Sequence, residues 1–276
     1  MTTHLAVLGS PIAHSQSPAL HAAAYRTLGL DWSYEPIEVT EDTLAAFVTS
    51  RDSSWRGLSL TMPLKQQVLP LLDRVDELAT LTGAANTLLY TDGGRLGFNT
   101  DVFGITEPLR SAGLDSVESG VILGAGATAA SALVALSQLG ADTVTVAARS
   151  PQKAFHLVDL GLRVGVRVDV RELADVAALD ADVVVSTLPN GATVSLDFAE
   201  RVRQSAVLFD VAYKPWPTGL ATAWYQAEGT VVPGIEMLIG QALLQVRIFV
   251  QGDASTPLPD EATVHAAMRA AVGVQG

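Results

Sequence analysis

The chain has 276 residues, 49% of them apolar, and a net charge of −12 from 17 Lys and Arg against 29 Asp and Glu. It is long enough for one large or two ordinary domains, has no uncharged apolar run of membrane-spanning length, and scatters its cations too thinly to form a track for nucleic-acid phosphates. The absence of cysteine excludes disulfides, thiolate metal sites and a cysteine nucleophile.

Thr2, Thr3 and His4 lead directly into the apolar strand Leu5–Leu8, without the basic start and small-residue cleavage site of a secretory peptide, so a cytoplasmic protein is expected. Hydrophobic periodicity predicts strands near 5–9, 33–39, 57–61, 85–90 and 95–99, with helices near 18–28, 41–50 and 65–79 between them. From about 102 to 234 the texture changes. Short Val/Leu-rich strands (121–124, 143–148, 166–170, 182–187, 206–211, 230–232) alternate with Ala/Leu-rich helices, the pattern of a doubly wound parallel sheet. Two helices follow, 235–251 and 260–273, across the turn-rich connection 252–259. The expected fold class is α/β: an N-terminal α/β substrate domain (1–101 and 235–276) and a Rossmann-like domain (102–234), with the C-terminal helices returning to the first domain and a ligand cleft between the two.

The most informative stretch is Val121–Arg149. Gly124, Gly126 and Ala129 stand at the dinucleotide-binding spacing. Gly124 permits the tight turn, Gly126 admits a pyrophosphate to the backbone, and Ala129 lets the helix pack closely on the sheet, with the phosphates on the helix's free amides. Arg149 stands about where an NAD site carries an Asp or Glu for the ribose 2′-hydroxyl, which favours NADP. Lys153, four residues on, could hold a 2′-phosphate from the other side.

Four polar clusters lie outside this unit. In Gly9–Pro18, Ser15 and Ser17 precede Pro18 and could bind a carboxylate with the free amides of a helix start, or Ser17 could be an ordinary cap. In Gly57–Lys65, strand alternation puts Ser59 and Thr61 on one face, and Lys65 falls in a first helical turn, next to the unfavourable end of the dipole, as a recruited group or a surface lysine. Gly83–Thr87 supplies Asn86. Gly97–Asp101 supplies Asp101, a cap for the next helix or a site carboxylate. A carboxylate, a lysine, an amide and several hydroxyls suit a small polyhydroxylated acid beside a hydride carrier. The five histidines offer no metal-ligand spacing, His14 and His21 being too far apart for a helical i, i+4 pair, so no metal is expected.

In this order, Gly9-Ser10-Pro11 to Ser15-Gln16-Ser17-Pro18, Thr61-Met62-Pro63-Leu64-Lys65, Gly83-Ala84-Ala85-Asn86-Thr87, Asn99-Thr100-Asp101, the glycine-rich turn, Asp210-Val211-Ala212-Tyr213-Lys214-Pro215 and Gly234-Ile235-Glu236-Met237-Leu238 with Gln241 resemble shikimate dehydrogenase along essentially the whole chain. The resemblance implies NADP-dependent interconversion of 3-dehydroshikimate and shikimate in aromatic amino-acid biosynthesis, by a monomer or homodimer that binds neither nucleic acid nor membrane. It implies Ser15, Ser17 and Tyr213 on the substrate carboxylate, Thr61, Asn86, Asp101 and Gln241 on ring hydroxyls, and Lys65 with Asp101 as the catalytic pair. The cofactor would lie on Gly124, Ala125, Gly126, Ala127, Arg149, Lys153 and Gly234. Three positions depart from the family pattern: Ser59 stands where Asn is common, Ala127 where a further Gly is common, and Ala148 where an Asn usually precedes the clamp arginine. An NAD-dependent quinate/shikimate dehydrogenase and a non-catalytic NADPH-binding sensor are the alternatives.

Overall fold

The run Leu5–Leu8 is apolar at every position because its strand is covered on both faces, as parallel strands are. It belongs to β1 (Thr3–Gly9), which pairs in parallel with β2 (Trp32–Glu38) after the crossover helix α1 (Ser17–Thr27), and with β3 (Trp55–Leu60) after α2 (Glu41–Thr49). The computed structural model describes residues 2–189 and 196–274.

Beyond β3 the expected helix over 65–79 is broken. The chain forms the single turn α3 (Leu64–Gln67), a 3-10 turn at Leu69–Leu71, the two-residue strand β4 (Arg74–Val75) and then α4 (Glu77–Thr82). Pro70 has no amide to continue a helical ladder. The Asp73 carboxylate accepts the Arg95 amide at 2.8 Å, which draws the segment to a neighbouring strand. Asp76 then caps α4 by accepting the Ala79 amide at 2.7 Å, and Gly83, at φ 63°, closes it. The hairpin β5 (Thr87–Thr91) and β6 (Gly94–Phe98) completes a mixed six-stranded sheet in the order β2-β1-β3-β5-β6-β4, with β5 antiparallel to both neighbours.

The second sheet is wholly parallel. Its elements are α5 (Asp101–Ser111), β7 (Ser119–Leu123), α6 (Ala127–Gln138), β8 (Thr143–Ala148), α7 (Phe155–Val164), β9 (Arg167–Glu172), β10 (Val183–Ser186), α8 (Glu200–Ser205), β11 (Val207–Asp210), α9 (Gly219–Gln226) and β12 (Val231–Pro233). The order β12-β11-β10-β7-β8-β9 is the dinucleotide-fold order, with its reversal between β7 and β10. The chain ends in α10 (Gly234–Gln251) and α11 (Glu261–Ala271).

Two compact units emerge: Met1–Thr100 with Leu238–Gly276, and Asp101–Met237. In the first, α10 lies closely on β3. A Cβ on Gly57 would fall 2.4 Å from the Phe249 ring, and Arg56 donates from Nε to the Phe249 carbonyl at 2.7 Å. Gln245 and Gln241, one and two turns back along α10, are thereby brought to the same sheet. Among the described residues no helix is long and apolar enough to cross a membrane.

Candidate active site

In the first unit, three loops meet where β1 and β3 end and the antiparallel β5 begins. Backbone bonds join them: Ser10 N to Met62 O at 3.1 Å, Thr61 N to Leu8 O at 2.9 Å, Leu60 N to Asn86 O at 2.8 Å and Ala85 N to Lys65 O at 2.8 Å. A Cβ on Gly9 would stand 2.5 Å from the Thr61 methyl, so only glycine allows the first loop this close to the second. Ser15, Thr61 and Lys65 are half-buried; Ser17 and Asn86 are buried. Ser17 is not the helix cap. Gln16 holds that position and Ser17 is the first helical residue, its amide donating to Ser15 Oγ at 3.3 Å.

Asn86 is fully engaged. Its Oδ1 accepts from the Thr100 amide and the Thr87 hydroxyl, each at 2.9 Å, and its Nδ2 donates to Thr100 Oγ1 at 2.8 Å and to Gln241 Oε1 at 3.4 Å. Gln241 donates in turn to the Leu238 carbonyl at 2.9 Å. Asn99 ties the preceding turn down by donating to Thr82 Oγ1 at 2.9 Å and to the Ala84 carbonyl at 3.0 Å. This unit thus brings Thr61, Lys65, Asn86 and Gln241 together around one sheet end.

Sequence reasoning missed a second polar layer beneath them. Ser59, on the strand leading to Thr61, is 3% exposed; its hydroxyl accepts from Tyr34 at 2.7 Å and donates to Gln245 Oε1 at 2.8 Å. His21 reaches the same Gln245 oxygen at 3.3 Å and meets the Tyr25 hydroxyl at 3.0 Å through its other nitrogen, while its ring stacks on Tyr34 at 3.8 Å. The readable signal was the pair Gln241 and Gln245, four apart and so on one face of a helix.

Burial lowers the His21 pKa from 6.5 to about 3, against the smaller opposing effect of the Gln245 bond. It faces Tyr25, Tyr34 and Gln245, and burial pushes both tyrosine hydroxyls up, so no charge compensates a proton there. Between pH 6.5 and about 3 the unfolded chain therefore binds a proton that the folded chain refuses. This contribution is complete above 6.5 and is lost as pH falls, at about 1.4 kcal/mol per pH unit. Urea unfolding at pH 7, 6 and 5 checks it: the wild type should lose stability more steeply than His21→Gln, and parallel curves would refute it.

In the second unit, the turn after β7 has the shape that a dinucleotide phosphate needs. Gly124 has φ 109° and leaves no room for a side chain, since a Cβ would stand 2.5 Å from Thr187 Oγ1. Gly126 is exposed, and nothing lies within 4 Å of where its Cβ would be, so the backbone there is open to close approach. It caps α6 without a side-chain bond to the first amides. Ala125 and Ala127 are half-buried beside it, and Ala129 is buried against the sheet. Arg149 follows β8 and Lys153 lies in the 3-10 turn Pro151–Ala154, both exposed. These groups fit a dinucleotide with an extra phosphate.

Asp101 is buried as the first residue of α5. Tyr213 is half-buried and its hydroxyl pKa is raised by burial. Asp210 organises the turn before it, accepting from Thr218 Oγ1 at 2.6 Å and the Ala212 amide at 3.3 Å; burial raises its carboxyl pKa. Gly234 starts α10 where a Cβ would meet the Val211 carbonyl at 2.1 Å. No group of three or more His, Asp or Glu able to hold a metal occurs among the described residues.

Residues 7–88 match the family model of the shikimate dehydrogenase substrate-binding domain. The chain is 33% identical over 270 residues to the shikimate dehydrogenase (NADP(+)) of Methanothermobacter thermautotrophicus, covering 94% of this chain and 95% of that one. Its structure is similar to that of Mycobacterium tuberculosis shikimate dehydrogenase, with TM-score 0.85 and 41% identity over 97% of this chain and 99% of the other. It is also similar to a Thermus thermophilus shikimate 5-dehydrogenase solved in complex with NADP(H) and shikimate, with TM-score 0.81 and 32% identity over 98% of this chain and all (100%) of that one.

Proposed function

The chain belongs to the shikimate dehydrogenase family, and on that premise we propose that most of its shikimate ligands lie in the first unit and its NADP ligands in the second. It is an NADP-dependent oxidoreductase that interconverts 3-dehydroshikimate and shikimate. When bound, NADPH supplies the hydride to the ring's 3-keto carbon. The chain's own residues bind, orient and move the proton.

Lys65 donates its Nζ proton to the oxygen that becomes the 3-hydroxyl, and Asp101 holds that ammonium and a neighbouring ring hydroxyl. Ser15, Ser17 and Tyr213 take the substrate carboxylate, and Thr61, Asn86 and Gln241 take the remaining ring hydroxyls. The supporting observation is the pair of backbone bonds from Leu60 to Asn86 and from Ala85 to Lys65, both 2.8 Å, which fixes the lysine and the amide against one sheet end. Gly124, Ala125, Gly126 and Ala127 receive the pyrophosphate, Gly234 gives the cofactor a close backbone approach, and Arg149 with Lys153 holds the 2′-phosphate. We place the enzyme in the cytoplasm, as a monomer or homodimer.

Cofactor choice tests the second unit. The wild type should prefer NADP over NAD, and Arg149→Ala should remove about 1.5–3 kcal/mol of that preference, the worth of one charge-assisted contact, while NAD turnover stays nearly constant. Measured as kcat/KM for both cofactors, equal use of NAD by the wild type, or an unchanged ratio in the variant, would sink this assignment and favour an NAD-dependent quinate/shikimate dehydrogenase.

A further inference from the structure

From the buried layer under the candidate site, we infer that Gln245 is a positioning residue: gripped by His21 and Ser59, it holds Asn86 in place both directly and through Thr87. The inference rests on the reading of Asn86 as a ligand of a ring hydroxyl.

Donor and acceptor inventory fixes the direction of every bond in this chain. Gln245 is 1% exposed, so its amide has no water to turn to. Its Nε2 lies 3.1 Å from the Asn86 backbone oxygen. A carbonyl oxygen only accepts, so the NH2 group of Gln245 must face it and Oε1 must face the other way. On that far side Oε1 accepts the Ser59 hydroxyl at 2.8 Å and His21 Nε2 at 3.3 Å, and both lone pairs are used. His21 therefore carries its proton on Nε2, leaving Nδ1 to accept from Tyr25.

The second hydrogen on Gln245 Nε2 goes to Thr87 Oγ1 at 3.1 Å. With that lone pair committed, the Thr87 hydroxyl directs its own proton to Asn86 Oδ1 at 2.9 Å. The Thr100 amide occupies the other lone pair of Oδ1 at 2.9 Å. Asn86 is thus gripped at its backbone oxygen and at Oδ1, while its Nδ2 donates one hydrogen to Thr100 Oγ1 at 2.8 Å and the other to Gln241 Oε1 at 3.4 Å. That second bond is longer than an ordinary N–H···O contact, so this hydrogen is the one most easily surrendered to a ligand hydroxyl. A buried amide with all four of its bonds made can shift only by breaking them, which makes Gln245 a rigid stop rather than a filler.

The test is a cycle of Asn86→Ala, Gln245→Met and the double variant, with shikimate KM, NADP KM, kcat and thermal midpoint measured for each. Gln245→Met should raise the shikimate KM about tenfold, with kcat within about threefold and the NADP KM unchanged, as expected when a ground-state contact is misplaced. Added to Asn86→Ala, it should raise KM less than twofold further, because the group it positions is gone. Effects that multiply in the double variant, or a Gln245→Met enzyme with the wild-type KM beside an impaired Asn86→Ala, overturn the positioning role while leaving Asn86 as a ligand. An Asn86→Ala enzyme with wild-type KM overturns the reading of Asn86 and the inference with it. Should Gln245→Met not fold, the link residue decides: Thr87→Val should raise the shikimate KM severalfold and Thr87→Ser should restore it, and equal KM values in the two would overturn the relay.

Discussion

Lys65→Ala should lower kcat by roughly 10²–10⁴ with a much smaller change in KM, because a general acid acts mainly in the transition state. Lys65 is half-buried on a helix of one turn, and its backbone carbonyl, which takes the Ala85 amide at 2.8 Å, is retained in alanine. Circular dichroism and an unchanged NADP affinity would establish that the variant is folded. A tenfold or smaller loss of kcat, with chemistry shown to be rate-limiting, would remove the lysine from the proton-transfer role.

The double variant Ser15→Ala with Ser17→Ala should raise the shikimate KM by roughly 10² or more, since two hydroxyl donors to an anion are lost at about 1.5–3 kcal/mol each. The Ser15 hydroxyl also accepts the Ser17 backbone amide at 3.3 Å, so part of the loss comes through loop geometry, and the Ser15→Ala single variant, unlike Ser17→Ala, should show it. NADP affinity should hardly move, because both serines lie in the first unit and the glycine-rich turn in the second. Equal weakening of NADP and shikimate binding would mean that the Gly9–Pro18 loop is not primarily a substrate site.

The parallel sheet of the second unit was readable because strands covered on both faces are apolar along their length, as Val183–Val185 and Val207–Phe209 are, each buried at every position. Local rules also explain the glycine-rich turn, whose φ of 109° at Gly124 no other residue adopts easily. Where periodicity misled, a long-range bond had overridden it. Residues 65–79 carry a helical pattern, but Pro70 interrupts the ladder and Asp73 is drawn to Arg95, 22 residues away. Ser59 shows the same limit more sharply: strand alternation gives its face, yet its partner Gln245 is 186 residues distant and Tyr34 is on another strand. Individual ligand types were legible from the motifs. The bonds that aim them were not, since each joins segments that no local window contains together.

The first unit is assembled from the two ends of the chain, with the whole of Asp101–Met237 between them. During synthesis the second unit has all its residues in hand first and can close while the C-terminal helices are still unmade. β1, β3 and β5 emerge early but wait for α10, whose Gln245 meets His21 across a separation of 224 residues. Until then Asn86 lacks Gln241 and Gln245, and His21 and Ser59 lack their common acceptor. A ribosome-bound or C-terminally truncated chain ending before Leu238 therefore carries every residue of the second unit and an unfinished first unit. The residues of the second unit are thus all present before the first is complete, and the buried layer beneath Asn86 closes only when α10 has been made.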